Sequence, residues 1–328
     1  MTDEKGIRKS LTRRAQNRPA MSHATFLRGP AAGPDRLPVL PRRALLALSA
    51  SLLLPACTHG PWRRERIVEV ASRRELAPDA LLAELRASDF VLLGERHDNP
   101  LHHRRRGELI AALGPAAVVV AEHLPRGRQV APGPDVLQRL QAAGFEPKAW
   151  QWPQHQGLFD ALLGAGVPLQ GGNAPRDEVR KVAREGEGAL PADLRALLDP
   201  APLADAARRA LDDDLVAGHC GQLPEARVPA MRAAQRMRDA SMLQAMLDAR
   251  GRPTVLVAGN GHVRIDHGVP QLLRAARPAA RWIAVGFVEG DAVAAGPQPY
   301  THLWVTPALA RAAPCAGFRM PAPAQRTV

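Results

Sequence analysis

The chain has 328 residues, 44 of them Lys or Arg against 32 Asp or Glu, for a formal charge of +12. Residues 1–56 hold ten of those basic residues and only three acidic ones, so +7 of the +12 lies in that segment and +5 in the rest. Only four of the basic residues are lysines, and no basic run is interleaved with aromatics as in single-strand binders, so the composition does not point to nucleic acid.

At the N-terminus, Arg42-Arg43 precedes an eleven-residue apolar run over 44–54, which ends in Leu54-Pro55-Ala56-Cys57. The run is too short to span a bilayer as a permanent helix. A basic segment, a short apolar core and a small residue before the cut describe an export signal, and a cysteine in this position resembles a bacterial lipoprotein box. The expectation is a signal peptide over 1–56, cleaved to leave a lipidated Cys57, and a protein anchored in the bacterial cell envelope, at the outer membrane. The paired arginines also resemble a twin-arginine signal. About 270 residues remain, enough for one large domain or two small ones. Besides Cys57 the chain has Cys220 and Cys315, which in an oxidising envelope either pair or stay apart.

Residues 57–80 read as an arginine-rich, proline-bounded tether followed by a short helix over 79–86. Phe90-Val91-Leu92-Leu93 is a short buried strand that delivers Gly94-Glu95-Arg96-His97. Asn99-Pro100 then caps a helix running to about 113, with His102-His103 on its surface and His102 near enough its first turn to reach toward His97. A second strand over 117–121 ends in Glu122-His123. Helices over 135–143 and 155–163 follow, then a strand over 167–170 ending in Gly171-Gly172-Asn173.

Residues 175–250 show no strand and read as several helices broken at prolines, inserted into the alternating pattern. In the last of them Gln235, Asp239, Met242 and Met246 share one face, which would line an apolar ligand pocket. Strands resume over 254–258 and 282–288 with a helix over 269–276 between them, and 300–305 would add an edge strand. The order predicts an α/β domain over 81–320, a mainly parallel sheet covered by helices with the helical insertion at 175–250, and a tail over 321–328.

Val255-Leu256-Val257-Ala258 delivers Gly259-Asn260-Gly261-His262, a second glycine-histidine motif after a second apolar strand. Ligands of open α/β sheets bind beyond the carboxyl ends of the strands, so Glu95, His97, Glu122, His123, Asn173 and His262 are expected at one crevice. Histidines with carboxylates there suit a divalent metal held by Glu95, His97, Glu122 and His262, or a glutamate acting as base beside a histidine. His155, His219 and His267 read as structural or solvated.

The stretch from Leu93 to His103, the strand ending in Glu122, Gly172-Asn173-Ala174-Pro175-Arg176, the segment from Ala234-Gln235 through Asp239 to Met242, and Ala258-Gly259-Asn260-Gly261-His262-Val263-Arg264 resemble the ChaN-like haem-binding lipoproteins of the haem-binding-uptake and Tiki superfamily. The resemblance runs from about Asp89 to Cys315. It implies a lipid-anchored, non-enzymatic haem-binding protein concerned with iron acquisition, with haem held between the protomers of a homodimer. Haem contacts would come from His97, His262, Tyr300, Gln235, Asp239, Met242 and Asn173. The same superfamily contains erythromycin-esterase-like and Tiki-type hydrolases, whose motifs correspond to Glu95, His97, Glu122 and His262. Carriers of this kind use tyrosine for ferric haem; Tyr300 is the only tyrosine here, so it and the histidines are rival ligands. His123 stands where the family more often has an apolar residue.

Overall fold

A computed structural model describes residues 65–290, 298–312 and 315–316. The signal segment, Cys57 and the 321–328 tail lie outside the described residues. The described residues form an eight-stranded sheet in the order β2-β1-β8-β7-β3-β6-β4-β5. Its strands are β1 (Arg66–Glu69), β2 (Glu75–Leu76), β3 (Phe90–Leu93), β4 (Val118–Pro125), β5 (Leu169–Asn173), β6 (Thr254–Val257), β7 (Trp282–Glu289) and β8 (His302–Thr306). The run β8-β7-β3-β6-β4-β5 is parallel throughout, and β1 joins β8 and β2 antiparallel.

Two features differ from the sequence expectation. Residues 66–69 and 75–76, assigned to the tether, are strands that extend the sheet, and β8 is therefore an interior strand rather than an edge. Two- and four-residue strands that carry arginine and glutamate give no apolar run long enough to read.

The central strands are buried on both faces, which is why they read as unbroken apolar runs. Alternation sends Val91, Leu93, Val119, Ala121, Val255 and Val257 into one core and Leu92, Val120, Leu256 and Ala258 into the other. Helices α1 (Pro78–Ala87), α2 (Pro100–Leu113), α3 (Val136–Ala142) and α4 (Gln156–Gly164) contribute to the first core. The second is covered by α5 (Arg176–Glu185), α6 (Ala192–Leu198), α8 (Val228–Asp248) and α9 (Val269–Ala276), with α7 (Asp205–Gly218) packed on α8. Among the described residues no strand interrupts 176–248. None of the described helices is long and apolar enough to cross a membrane.

Cys220 and Cys315 are joined by a disulfide, with 5.6 Å between their Cα atoms. It ties the segment after α7 to the chain beyond β8.

Candidate functional site at the carboxyl ends of the strands

The register of β3, β6 and β4 aligns Leu93 with Val257 and Val257 with Ala121. The residues just beyond them therefore emerge together: Gly94-Glu95 from β3, Gly259-Asn260 from β6 and Glu122 from β4. The Asn260 N–H donates to the Glu95 carbonyl (2.9 Å) and the Gly259 N–H to Glu122 Oε2 (2.8 Å). Asn260 also clamps β7, donating from Nδ2 to the Phe287 carbonyl (2.6 Å) and accepting from the Phe287 N–H (3.2 Å).

Glu95 is the centre of the first half of the site. Its carboxylate is fully buried and divides its two oxygens between different neighbours. Oε2 meets the Arg106 guanidinium in a buried ion pair, and His103 Nδ1 at 2.8 Å. Oε1 faces three imidazoles: His97 Nδ1 at 2.7 Å, His155 Nε2 at 3.4 Å and His123 Nε2 at 3.6 Å. The His97 side chain is 52% exposed, whereas those of His103, His123 and His155 are enclosed.

Helix α2 supplies Arg106 and His103. Its cap is Asn99, whose Oδ1 accepts from the Leu101 and His102 N–H groups, with Pro100 at the first helical position. Gly107 lets α4 approach, since a Cβ there would lie 2.8 Å from the Gly157 carbonyl. That approach turns the face expected to be helix surface into an interior one: His102 and His103 are both buried. His102 accepts from the Arg96 N–H at Nδ1 (3.1 Å) and meets Thr306 Oγ1 through Nε2 (3.0 Å). It does not turn toward His97. Burial pushes the ring pKa values of His102 and His103 down to about 4. His155, read from sequence as structural or solvated, is buried beside Glu95, and burial with His103 and Arg106 nearby lowers its pKa to about 2.

Glu122 and His262 form the second half. Glu122 Oε1 meets Arg238 Nη2 at 2.6 Å and His262 Nε2 at 3.4 Å, while His262 Nδ1 contacts Asp239 Oδ1 at 2.6 Å. Gln235 Nε2 stands 3.2 Å from His262 Nδ1. Burial opposes charge on His262, but the carboxylates of Glu122 and Asp239 outweigh it and raise its pKa to about 9. Burial likewise opposes charge on Glu122, and His262, His97 and Arg238 hold its carboxyl well below the usual range. The two halves meet at Gly259, where a Cβ would lie 2.8 Å from His97 Nε2 and 3.7 Å from Glu122 Oε2.

Beside them opens a cleft of about 300 Å³ whose lining includes Glu122, His123, Trp150, Asn173, Arg176 and Arg238. Trp150 meets the His97 ring edge-on at 5.4 Å. Asn173 donates from Nδ2 to the Glu122 carbonyl (2.9 Å). Gln235 and Asp239 thus reach the site through His262. Met242 and Met246 do not line a pocket: both are buried in the second core, with Met242 lying over Gly172, because the face they share is turned onto the sheet.

Tyr300 stands apart from the Glu95 and Glu122 clusters. Its ring packs on Gly286, its hydroxyl is 3.5 Å from the Asn260 carbonyl, and burial pushes its pKa up to about 12. His219 and His267 serve local contacts, with the Leu215 carbonyl (2.7 Å) and Asp214 (3.3 Å). What the sequence did not reveal is the Arg106, His103 and His155 surround of Glu95; the helix-interior Gly107 was its one local signal.

An α/β sheet with a helical insertion, presenting paired glycine-histidine loops beside a cleft, defines a class of ligand-binding domain. The chain belongs to the family described as haem-binding uptake, Tiki superfamily, ChaN, whose model matches residues 81–273. Among solved structures it resembles ChaN of Campylobacter jejuni, described by its cofacial heme binding, with 15% identity, a TM-score of 0.61, and coverage of 75% of this chain and 98% of that one. A succinoglycan biosynthesis protein is more distant, with 12% identity, a TM-score of 0.32, and coverage of 64% of this chain and 68% of that one. Among curated proteins none matches.

Proposed function

We propose that this chain is a haem-binding protein of the bacterial cell envelope, held there by a lipid on Cys57 and concerned with haem and iron uptake, with haem as cargo rather than as the agent of a reaction. The membership of a haem-binding uptake family supports the ligand class. The Cys220–Cys315 disulfide is in keeping with an oxidising compartment.

The observation that carries the reading is His97. It is a half-exposed imidazole beside the cleft, with Nδ1 2.7 Å from buried Glu95 Oε1. A carboxylate at one ring nitrogen fixes the tautomer and leaves the other with its lone pair, the usual support for a metal-ligating histidine. The remaining nitrogen, Nε2, lies beside Gly259, where a Cβ would come within 2.8 Å of it.

The other candidates fit an iron less well. His262 is a cation between two carboxylates, and an imidazolium has no lone pair to offer. Tyr300 would ligate ferric haem as a phenolate, which its burial disfavours. Arg176 and Arg238, paired with Glu146 (2.7 Å) and Glu122 (2.6 Å), put two guanidinium groups in the cleft lining near which propionates would sit, and Trp150 offers an aromatic edge. Titration of the purified chain with haem, followed by absorbance, tests the reading; a saturable spectrum is expected, and its absence contradicts it. A homodimer sharing haem, the expectation from the resemblance, is tested by light scattering with and without haem.

One observation favours a second reading, a Glu- and His-dependent or metal-assisted hydrolase: Glu95, His97, Glu122 and His262 stand together at one end of the sheet. Hydrolysis of an ester or amide that disappears in His97→Ala, from a protein without a saturable haem spectrum, would establish it.

A further inference from the structure

The buried side of Glu95 carries more nitrogen than a haem ligand needs. Glu95 Oε1 is ringed by His97 Nδ1, His155 Nε2 and His123 Nε2 at 2.7, 3.4 and 3.6 Å. One carboxylate oxygen does not satisfy three imidazoles. Neither ring nitrogen of His123 has a hydrogen-bond partner, although the side chain is wholly enclosed. A buried imidazole whose ring nitrogens have no partner pays their desolvation without compensation. Its ring neighbours are Trp150, His155 and Phe159.

The geometry points to a transition-metal site on this side of Glu95, in which Glu95 Oε1, His97 Nδ1 and His155 Nε2 are ligands and His123 Nε2, 3.6 Å from Oε1, is a further donor beside them. The oxygen and nitrogens of Glu95, His97 and His155 lie within 4.8 Å of one another. Tetrahedral Zn²⁺ with bonds of about 2.1 Å separates neighbouring ligand atoms by roughly 3.4 Å; the separations from Oε1 bracket that value. Three neutral imidazoles and one carboxylate suit Zn²⁺, Co²⁺ or Fe²⁺ rather than Mg²⁺ or Ca²⁺. Arg106 and His103 hold the far oxygen, Oε2, and so orient the carboxylate as outer partners do in metal centres.

The ligand set differs from the one expected from sequence. Glu122 and His262 are engaged elsewhere, Glu122 by Arg238, the Gly259 N–H and His262, and His262 by Asp239. The inference rests on the surroundings of Glu95 and not on the haem reading, with which it shares His97. Since one ring cannot bind an ion at Nδ1 and keep a proton there, the test uses haem-free protein.

The full chain, stripped of metal and haem, is titrated with Co²⁺ and followed by visible d–d absorption. One saturating equivalent per chain is expected, with affinity falling at least tenfold in His155→Ala and in His123→Ala and unchanged in His219→Ala. Circular dichroism establishes that each variant is folded. Should the variants not fold, the wild-type chain is measured by NMR, where bound Co²⁺ must shift ring protons of three histidines. No saturable Co²⁺ band, an undiminished band in the folded His155 and His123 variants, or no shifted histidine protons would overturn the site.

Discussion

His262 Nδ1 lies 2.6 Å from Asp239 Oδ1, and Glu122 Oε1 stands 3.4 Å from the opposite ring nitrogen, so one buried imidazolium is shared by two carboxylates. Burial disfavours its charge, yet the carboxylates raise its pKa from 6.5 to about 9. A raised pKa contributes stability that is complete below the unfolded value and is lost as pH rises through the folded one. Thermal stability should therefore decline as pH rises from 7 past 9, by at most about 3 kcal/mol at 1.36 kcal/mol per pKa unit. In Asp239→Asn that alkaline decline should flatten. Melting curves across this range check it, and an equal slope in the variant would contradict it.

The acid limb has the opposite cause. Burial lowers the pKa of His102 and His103 to about 4, that of His155 to about 2, and that of His123 well below 6.5. Above pH 6.5 these rings are neutral folded or unfolded; below it the unfolded chain takes up protons that the folded chain refuses. Each contributes a slope of about 1.4 kcal/mol per pH unit. Unfolding should begin near pH 6, before carboxylates titrate, and His123→Met should shift the acid midpoint downward. Acid unfolding that starts only below pH 4 would be inconsistent with four neutral buried histidines.

How much of this was legible follows from what the sequence encodes locally. Phe90–Leu93 and Thr254–Val257 were readable because strands buried on both faces are uniformly apolar, and their glycine-histidine ends mark where the chain leaves the sheet. That His97 and His262 share one end of the sheet follows from β3 pairing with β6, which the parallel order made plausible and only the register establishes. His103 and His155 were opaque: a histidine on a helix carries no one-dimensional mark of burial, and theirs comes from the packing of α2 on α4. Gly107 was the available hint, since glycine inside a helix usually signals close approach. Strands β1 and β2 were opaque because they are only four and two residues long and carry arginine and glutamate.

Gly259 is a point where a single methyl group should separate site from fold. A Cβ there would meet His97 Nε2 at 2.8 Å, while its φ of −61° suits any residue. Gly259→Ala should displace the His97 ring and weaken haem binding at least tenfold, with a melting temperature within a few degrees of wild type. Unchanged affinity in haem titration would mean that Nε2 does not face the ligand.

Exchange of Cys57 for Ser should release the protein from the membrane fraction. The lipoprotein box motivates this, since stable anchoring takes more than one acyl chain or a second signal. Fractionation of cells expressing Cys57→Ser checks it; full membrane retention would contradict lipidation at Cys57.

The proposed role of His97 as the iron ligand is tested most directly by the absorbance spectrum of haem bound to four folded proteins: wild type, His97→Ala, His262→Ala and Tyr300→Phe. Loss of an axial ligand alters coordination and therefore the spectrum, whereas loss of a packing residue alters only affinity. A changed spectrum and at least tenfold weaker binding are expected in His97→Ala, with the wild-type spectrum kept in Tyr300→Phe and in His262→Ala. A wild-type spectrum in His97→Ala together with its loss in Tyr300→Phe would contradict it.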